Sequence, residues 1–269
     1  MKVLTESELK RLKQVELEML VSIDGLCRKN GIKYSMAAGT LLGAARHKGF
    51  IPWDDDIDIM LMRNEYEKLK KCIEIYGNDL YWVDYYTYEG YPYPFSKIMK
   101  KNTILKEESN KYATAPNGVF IDVFPVDYSI ENEEKRKKQY SNVTRWKQRL
   151  VTRENYYFSQ TGIREWYRMI RKGVMNLIPK RYFIDKIDAE WRQYSDTDIL
   201  ISLTGTVGYQ KASYPKEWFE RYINLEFEGV ELMAIEKYKD LLKKQYGNYM
   251  ELPPENERVP HHYVHELKL

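Results

Sequence analysis

The sequence predicts an α+β fold. Three observations carry that expectation. Apolar residues recur at helical spacing across residues 5–30. Two short apolar segments, 52–62 and 117–128, read as strands, separated by a helical stretch and by aromatic, alternating segments. Residues 223–235 read as a hairpin that runs into a further helix. Helices and strands that follow one another without a regular βα repeat belong to a mixed architecture.

In the first helix Thr5 and Glu8 have the spacing of a capping box, and Leu9, Leu12, Val15, Met19, Ile23 and Leu26 form the apolar face. Gly31 is its expected stop. Ile32, Tyr34 and Met36 then alternate with Lys33 and Ser35, the pattern of a strand. A Gly39-Thr40 turn and a short helix over Leu41–Arg46 follow. A strand, a glycine turn and a helix start make a phosphate site, because unpaired backbone N–H groups point at the anion. Arg46, His47 and Lys48 come next. They read either as a solvated basic turn or as cations for phosphate oxygens, and Arg46 is taken as functional while His47 stays open.

The stretch GTLLGAARHKGFIPWDDDID, residues 39–58, ends with four aspartates in five positions. Extended backbone over Pro52–Met62 would place Asp54, Asp56 and Asp58 on one face and Ile57 and Ile59 on the other. Three carboxylates on one face repel one another, and a divalent cation relieves the repulsion. Hard oxygen ligands suit Mg2+ or Mn2+. A solvated acidic loop is the bland alternative, but such a loop has no need of Ile57, Ile59 and Leu61. The glycine and distal glutamate of an EF-hand are absent.

Asn64–Tyr76 is predicted helical, with Asn64 and Glu67 as its cap pair and Gly77 as its stop. Residues 80–107 hold aromatic strands turning at Glu89-Gly90. There Lys97 shares a face with Phe95 and Met99, so it either snorkels to solvent or reaches a ligand phosphate. The tyrosines nearby are mostly strand packing, with some available as an aromatic cage for a quaternary ammonium. NGVFIDVFPVDY, residues 117–128, is an apolar strand around one carboxylate, Asp122. A buried aspartate is costly unless paired or ligating, so Asp122 is either a salt-bridged core residue or a further metal ligand or base. Pro125 is expected to end the strand and Asp127 to lie in a turn.

Residues 130–195 read as helical and basic, with a solvated charged face at ENEEKRKKQY. REWYRMIRKGVMNLIPKRYF, residues 164–183, is a candidate for peripheral contact with an anionic membrane surface, although packing on its own domain is the commoner outcome. A short strand at 199–203, a glycine-rich turn at Gly205 and Gly208, a hairpin turning at Glu228-Gly229 and a helix from Ile235 to Tyr246 complete the pattern. His261 and His265 lack the HExxH context of a zinc site, and a mobile tail is expected there.

With 269 residues the chain can bury a sizeable core. It is expected to divide into a core over 1–128, a helical region over 129–198 and a C-terminal segment over 199–269 that packs on the core. The net charge of +3 gives no case for nucleic acid as a partner. Two cysteines, Cys27 and Cys72, give no disulfide framework. No apolar run approaches the ~20 residues of a membrane span, and the N-terminus lacks a signal segment. The expected location is cytoplasmic, with the inner face of the cell membrane as the place of any peripheral contact.

GTLLGAARHKGFIPWDDDIDI, NGVFIDVFPVD, and FEGVEL with KQYGNYMELPPE together resemble the LicD phosphocholine transferase family, related to fukutin and fukutin-related protein. The blocks are distant in sequence yet present in order, and 130–195 carries the weakest likeness. The resemblance implies a nucleotidyltransferase-like mixed β-sheet core flanked by helices, with a helical insertion and a C-terminal hairpin and helix. It implies transfer of a phospho-alcohol from a CDP-linked donor to a glycan hydroxyl. Bacterial members move phosphocholine from CDP-choline onto teichoic acid, lipopolysaccharide or capsule sugars, and fukutin relatives move ribitol phosphate. Carried over by position, the metal ligands are Asp54, Asp56 and Asp58, with Asp122 on the later acidic strand, and Gly39 and Thr40 open the nucleotide site. Ala37-Ala38 and Met60-Leu61-Met62 depart from the usual pattern.

On this reading Mg2+ (or Mn2+) is held by Asp54, Asp56, Asp58 and Asp122, and Asp56, Asp58 and Asp122 are the catalytic carboxylates, with Asp122 or Asp58 as base. Gly39, Thr40, Arg46 and Lys97 contact the donor phosphates. Trp53, Trp82 and the tyrosines of 85–93 are candidates to hold choline. The acceptor is a glycan, lipid-linked or free. Transfer of ribitol or glycerol phosphate, nucleotidyl transfer from an NTP, and a non-catalytic binding module are the other readings.

Overall fold

The computed structural model describes residues 3–156, 162–204, 207–259 and 263–269. Gly205 of the expected turn and His261 of the histidine pair lie outside them. Helix α1 (Glu6–Lys29) starts at its capping box. The Thr5 hydroxyl accepts from the Glu8 amide at 3.3 Å, and the Glu8 carboxylate accepts from the Thr5 amide at 2.9 Å. Leu12, Val15, Met19, Leu20, Ile23 and Cys27 form its buried stripe. Gly31, at φ +64°, takes the chain out of the helix.

Strand β1 (Ser35–Met36) is shorter than the alternation predicts. The polar side chains here turn elsewhere: the Ser35 hydroxyl accepts from the Ile235 amide at 3.1 Å, and the hydroxyl of the preceding Tyr34 donates to Asp24 at 2.9 Å. Helix α2 (Ala38–His47) takes Gly39 and Thr40 into its first turn, so they do not form a separate turn ahead of it. Strand β2 (Asp58–Met62) covers only the end of the predicted 52–62 strand, and residues 52–57 are turn and irregular backbone. Pro52 and the local turn at Pro52-Trp53 break the extension.

Helix α3 (Arg63–Tyr76) follows directly, and Gly77 ends it as expected. Its N-cap is Met62, without a side-chain cap, and Asn64 instead donates to Glu65. The expected Asn64–Glu67 cap pair therefore does not form, because the helix begins two residues too early for Asn64 to cap it. Strands β3 (Leu80–Val83) and β4 (Ser96–Lys100) are antiparallel, and β5 (Ile104–Glu107) leaves the sheet.

Strand β6 (Phe120–Tyr128) is central and runs straight through Pro125. Antiparallel β4 pairs with it only from Phe120 to Val123, and β7 (Ile199–Ile201) only at Asp127 and Tyr128. Pro125 sits in the gap between these partners, where its missing N–H costs no ladder bond. Asp127 is likewise in the strand, not in a turn, and accepts from Arg63 through both carboxylate oxygens, at 2.8 and 2.7 Å.

Helices α4 (Glu133–Arg153), α5 (Ile163–Asn176) and α6 (Lys180–Trp191) form a layer in which α5 and α6 both pack on α4. Pro179 divides the basic stretch 164–183 into two helices. After α7 (Tyr209–Ala212), strand β8 (Ser213–Pro215) pairs with β7. Strands β9 (Tyr222–Phe227) and β10 (Val230–Ile235) form the expected hairpin, with Glu228 and Gly229 both at positive φ. Helix α8 (Tyr238–Tyr246) ends at Gly247. The expected mobile tail is strand β11 (Val264–Lys268), which pairs with β5, and His265 lies 3.2 Å from Glu108.

The sheet order is β1-β2-β6-β4-β3, extended by β7 and β8 from the far end of β6. The β2–β6 pair is parallel and the other pairs are antiparallel. This is the mixed α+β architecture the sequence predicts.

Candidate active site

Asp58 on β2, Asp122 on β6 and Lys97 on β4 are register partners across three adjacent strands. Register partners project to the same face. A row of acid, acid and base thus crosses the middle of the sheet. Lys97 Nζ lies 2.8 Å from Asp122 Oδ1 and stacks on the Phe120 ring. Burial raises the Asp122 carboxyl to about 6; Lys97 opposes the shift, and the charges of Asp56 and Glu107 add to it. Lys97 is buried and paired with Asp122 rather than snorkelling to solvent.

In front of Asp58 lies a cavity of about 710 Å³. One side is built by α2, which contributes Gly39 and Arg46, and by the run from Ile51 into the start of β2, which contributes Trp53, Asp54, Asp56 and Asp58. The opposite wall comes from the other end of the chain, Tyr246 to Glu257. Arg46 joins the two sides by donating to the carbonyls of Tyr249 and Glu251 at 3.0 and 3.1 Å, and its Nε donates to His47 at 2.9 Å. Desolvation at the cleft wall, then the charges of Asp58, Asp54 and Asp56, push the Tyr246 phenol well up.

Gly39 has a specific reason to be glycine. A Cβ there would stand 2.3 Å from Asp54 Oδ2. The Asp54 carboxylate rests in the space a side chain would fill. From below, Lys13 of α1 donates to the carbonyls of Ile51 and Pro52, both at 3.1 Å. Burial lowers the Lys13 pKa, and the neighbouring charges of Asp54, Glu16 and Asp55 oppose that shift. This lysine pins the turn that carries the acidic segment.

Because residues 54–57 are not a regular strand, strict alternation fails and Asp55 joins its neighbours. Carboxylate oxygens of Asp54, Asp55 and Asp56 lie within 4.8 Å of one another. Three hard oxygen donors lie close together, two of them on buried residues, and they are the ligand type that Mg2+ and Mn2+ take. The residues present fit such an ion.

The structure thus brings Gly39, Arg46, Asp54, Asp56 and Asp58 into one cleft. Thr40 is beside it but not in its lining: its hydroxyl oxygen accepts from the Asp58 amide at 2.8 Å and fastens α2 to β2. Asp122 and Lys97 lie one and two strands further into the sheet. Trp82 is buried and donates to Asp84, and Tyr85 and Tyr91 are buried too, so these aromatics are core. The cleft aromatics are Trp53, Tyr246 and Tyr249. Sequence reasoning missed Asp55 and Lys13, and it gave the YGNYMELPP block no place in the site. The Gly247 break and Pro253-Pro254 were the available signals of a shaped segment there.

The family described as "LicD/FKTN/FKRP, nucleotidyltransferase domain" matches residues 31–181. That span takes in the acidic side of the cleft and leaves the Tyr246–Glu257 wall outside. The chain is 29% identical over 260 residues to "Lipopolysaccharide cholinephosphotransferase LicD" of Haemophilus influenzae, covering 91% of this chain and 92% of that protein. It is 34% identical over 119 residues to an uncharacterized protein of Rickettsia prowazekii, 43% of this chain and 42% of that one. A Rickettsia typhi protein, also uncharacterized, is 33% identical over 122 residues, 43% of this chain and 35% of that one. With more than half of its length matched, the chain belongs to the LicD/FKTN/FKRP family.

Proposed function

We propose that this protein is a metal-dependent phosphotransferase that moves phosphocholine from CDP-choline to a hydroxyl of a cell-surface glycan, lipopolysaccharide first among the acceptors. The observation that carries this reading is the cleft: grouped carboxylates beside a helix start, facing an aromatic and acidic wall. End-to-end similarity to a lipopolysaccharide cholinephosphotransferase supports the choice of headgroup and acceptor.

Asp54, Asp55 and Asp56 would hold Mg2+ or Mn2+. When bound, the ion offsets charge on the donor pyrophosphate and on the departing CMP. The chain's own residues do the rest. The first amides of α2 and the Arg46 guanidinium face the donor's phosphoryl oxygens, a helix start and a cation both suited to an anion. Asp58 lines the cleft, and one of its carboxylate oxygens takes the proton of the attacking hydroxyl. Asp122, held by Lys97, sits behind Asp58 as a second acidic group whose charge the lysine sets. A choline headgroup offers no hydrogen-bond donor, so its recognition falls to aromatic faces. The Arg258 guanidinium stands 5.8 Å from the centre of the Trp53 ring, so this ring already accepts a cation against its face. Trp53 and Tyr249, with Glu251 nearby, are the assigned headgroup contacts.

The test is phosphorus NMR of the purified protein with Mg2+, a lipopolysaccharide acceptor and, in turn, CDP-choline, CDP-ribitol, CDP-glycerol and CTP. CMP release from CDP-choline alone is expected. CMP from another CDP-alcohol would change the headgroup, and pyrophosphate from CTP would replace the reading with nucleotidyl transfer.

A further inference from the structure

Helix α5 presents its apolar side outward. Ile163, Trp166, Tyr167, Ile170, Val174 and Leu177 follow the spacing i, i+3, i+4, i+7, i+11, i+14, which is one stripe of a helix. Their exposures run from 44% to 83%, and no residue of α5 is buried. The side turned to the domain carries polar contacts. Arg168 pairs with Glu165 and donates to Asn155 at 3.0 Å, and Met175 packs on the core beside them. An ordinary surface helix has the reverse arrangement, with its apolar stripe against the core.

We propose that α5 is an interfacial helix that docks the protein on an anionic lipid surface. Charge selects this occupant. Helix α5 holds four basic side chains, Arg164, Arg168, Arg171 and Lys172, against the single acid Glu165, while the whole chain carries a net charge of only +3. At 100° per residue Arg164 and Arg171 fall about a quarter turn from the centre of the apolar stripe, the position from which arginines reach headgroups. Trp166 and Tyr167 have the amphipathic rings that settle at that depth. Fourteen residues make a helix about 21 Å long, short of the ~30 Å hydrocarbon core, so α5 lies in the interface plane. No described helix is long and apolar enough to cross a membrane. The inference stands on this surface alone and does not depend on the proposed activity.

Vesicle flotation of the full chain tests it. With vesicles of equal parts phosphatidylcholine and phosphatidylglycerol the protein is expected to float, and with pure phosphatidylcholine to remain below. The double substitution Trp166→Glu with Ile170→Glu should weaken binding by about tenfold or more, with an unchanged melting temperature because both side chains are exposed. Arg164→Gln with Arg171→Gln should lose binding to the anionic vesicles by about tenfold and reduce its salt dependence. Failure of the wild type to float, or flotation unaffected by both pairs of substitutions, would overturn the proposal. So would a solution dimer that the Glu variant dissociates, with no flotation, since the stripe would then belong to a second copy of the chain.

Discussion

Lys97 Nζ lies 2.8 Å from Asp122 Oδ1, on directly opposed positions of β4 and β6, with Asp58 at the matching position of β2. The lysine therefore governs a carboxylate that stands one strand from the cleft. Without it, burial and the charge of Asp56 would drive Asp122 further toward its neutral form.

That relationship sets a pH dependence. Asp122 keeps its proton to about pH 6 in the native protein, against 3.8 for the ordinary carboxyl. Between these values the native state binds more protons than the unfolded chain, so stability falls as pH rises through the window. The loss is on the order of 3 kcal/mol and complete above pH 6. Urea unfolding of the metal-free protein across this range should show the slope, and Asp122→Asn should flatten it. Lys97→Met should extend the fall to higher pH. Identical slopes in wild type and Asp122→Asn would show that Asp122 does not titrate there.

Gly39→Ala tests the cradle under Asp54. The added methyl would meet Oδ2 at 2.3 Å and push the carboxylate out of the group. Mn2+ affinity by titration calorimetry should fall by about tenfold, equivalent to ~1.4 kcal/mol, with the far-ultraviolet circular dichroism unchanged. Undiminished affinity would exclude Asp54 from the ion's ligands.

Two other glycines separate packing from propensity. A Cβ on Gly43 would stand 2.4 Å from the Gly49 carbonyl oxygen, which is backbone and cannot swing away. Gly43→Ala should destabilise by about 1–3 kcal/mol. Gly25, within α1, has nothing within 4 Å, and Gly25→Ala should stabilise by about 0.5–1 kcal/mol. Thermal unfolding of the two variants should move in opposite directions.

Arg46→Ala removes the two hydrogen bonds that tie α2 to the carbonyls of Tyr249 and Glu251. The wall of the cleft should then loosen. Limited proteolysis within 248–258 should accelerate by several-fold, while cleavage elsewhere keeps its rate. A wall that stays protected would mean Arg46 does not hold it.

What the sequence made legible was local. The Thr5–Glu8 box, the Gly77 stop and the Glu228-Gly229 turn each need only residues within a few positions of one another, and each formed. Glu228 shows the limit of such reasoning. It tolerates positive φ because its carboxylate accepts from the Phe50 amide at 3.0 Å and its own amide donates to Lys48, contacts that no local pattern announces. The acidic segment was recognised, but its alternation was overestimated, since the Pro52-Trp53 turn delays the strand to Asp58 and lets Asp55 join the cluster. Asp127 looked like a turn residue because its partner, Arg63, lies 64 positions away. The far wall of the cleft was out of reach for the same reason: Arg46 and Tyr249 are 203 residues apart and meet only in the fold.

The most direct measurement is Mg2+-dependent release of CMP from CDP-choline in the presence of lipopolysaccharide, for wild type beside Asp56→Asn. Asp56 belongs to both the carboxylate group and the cleft lining. The account predicts turnover in the wild type and a loss in the variant of about a hundredfold or more, at least what changes around a metal's ligands cost, with melting temperature preserved. Turnover in Asp56→Asn equal to wild type would contradict the assignment of the acidic cluster as the centre of the reaction.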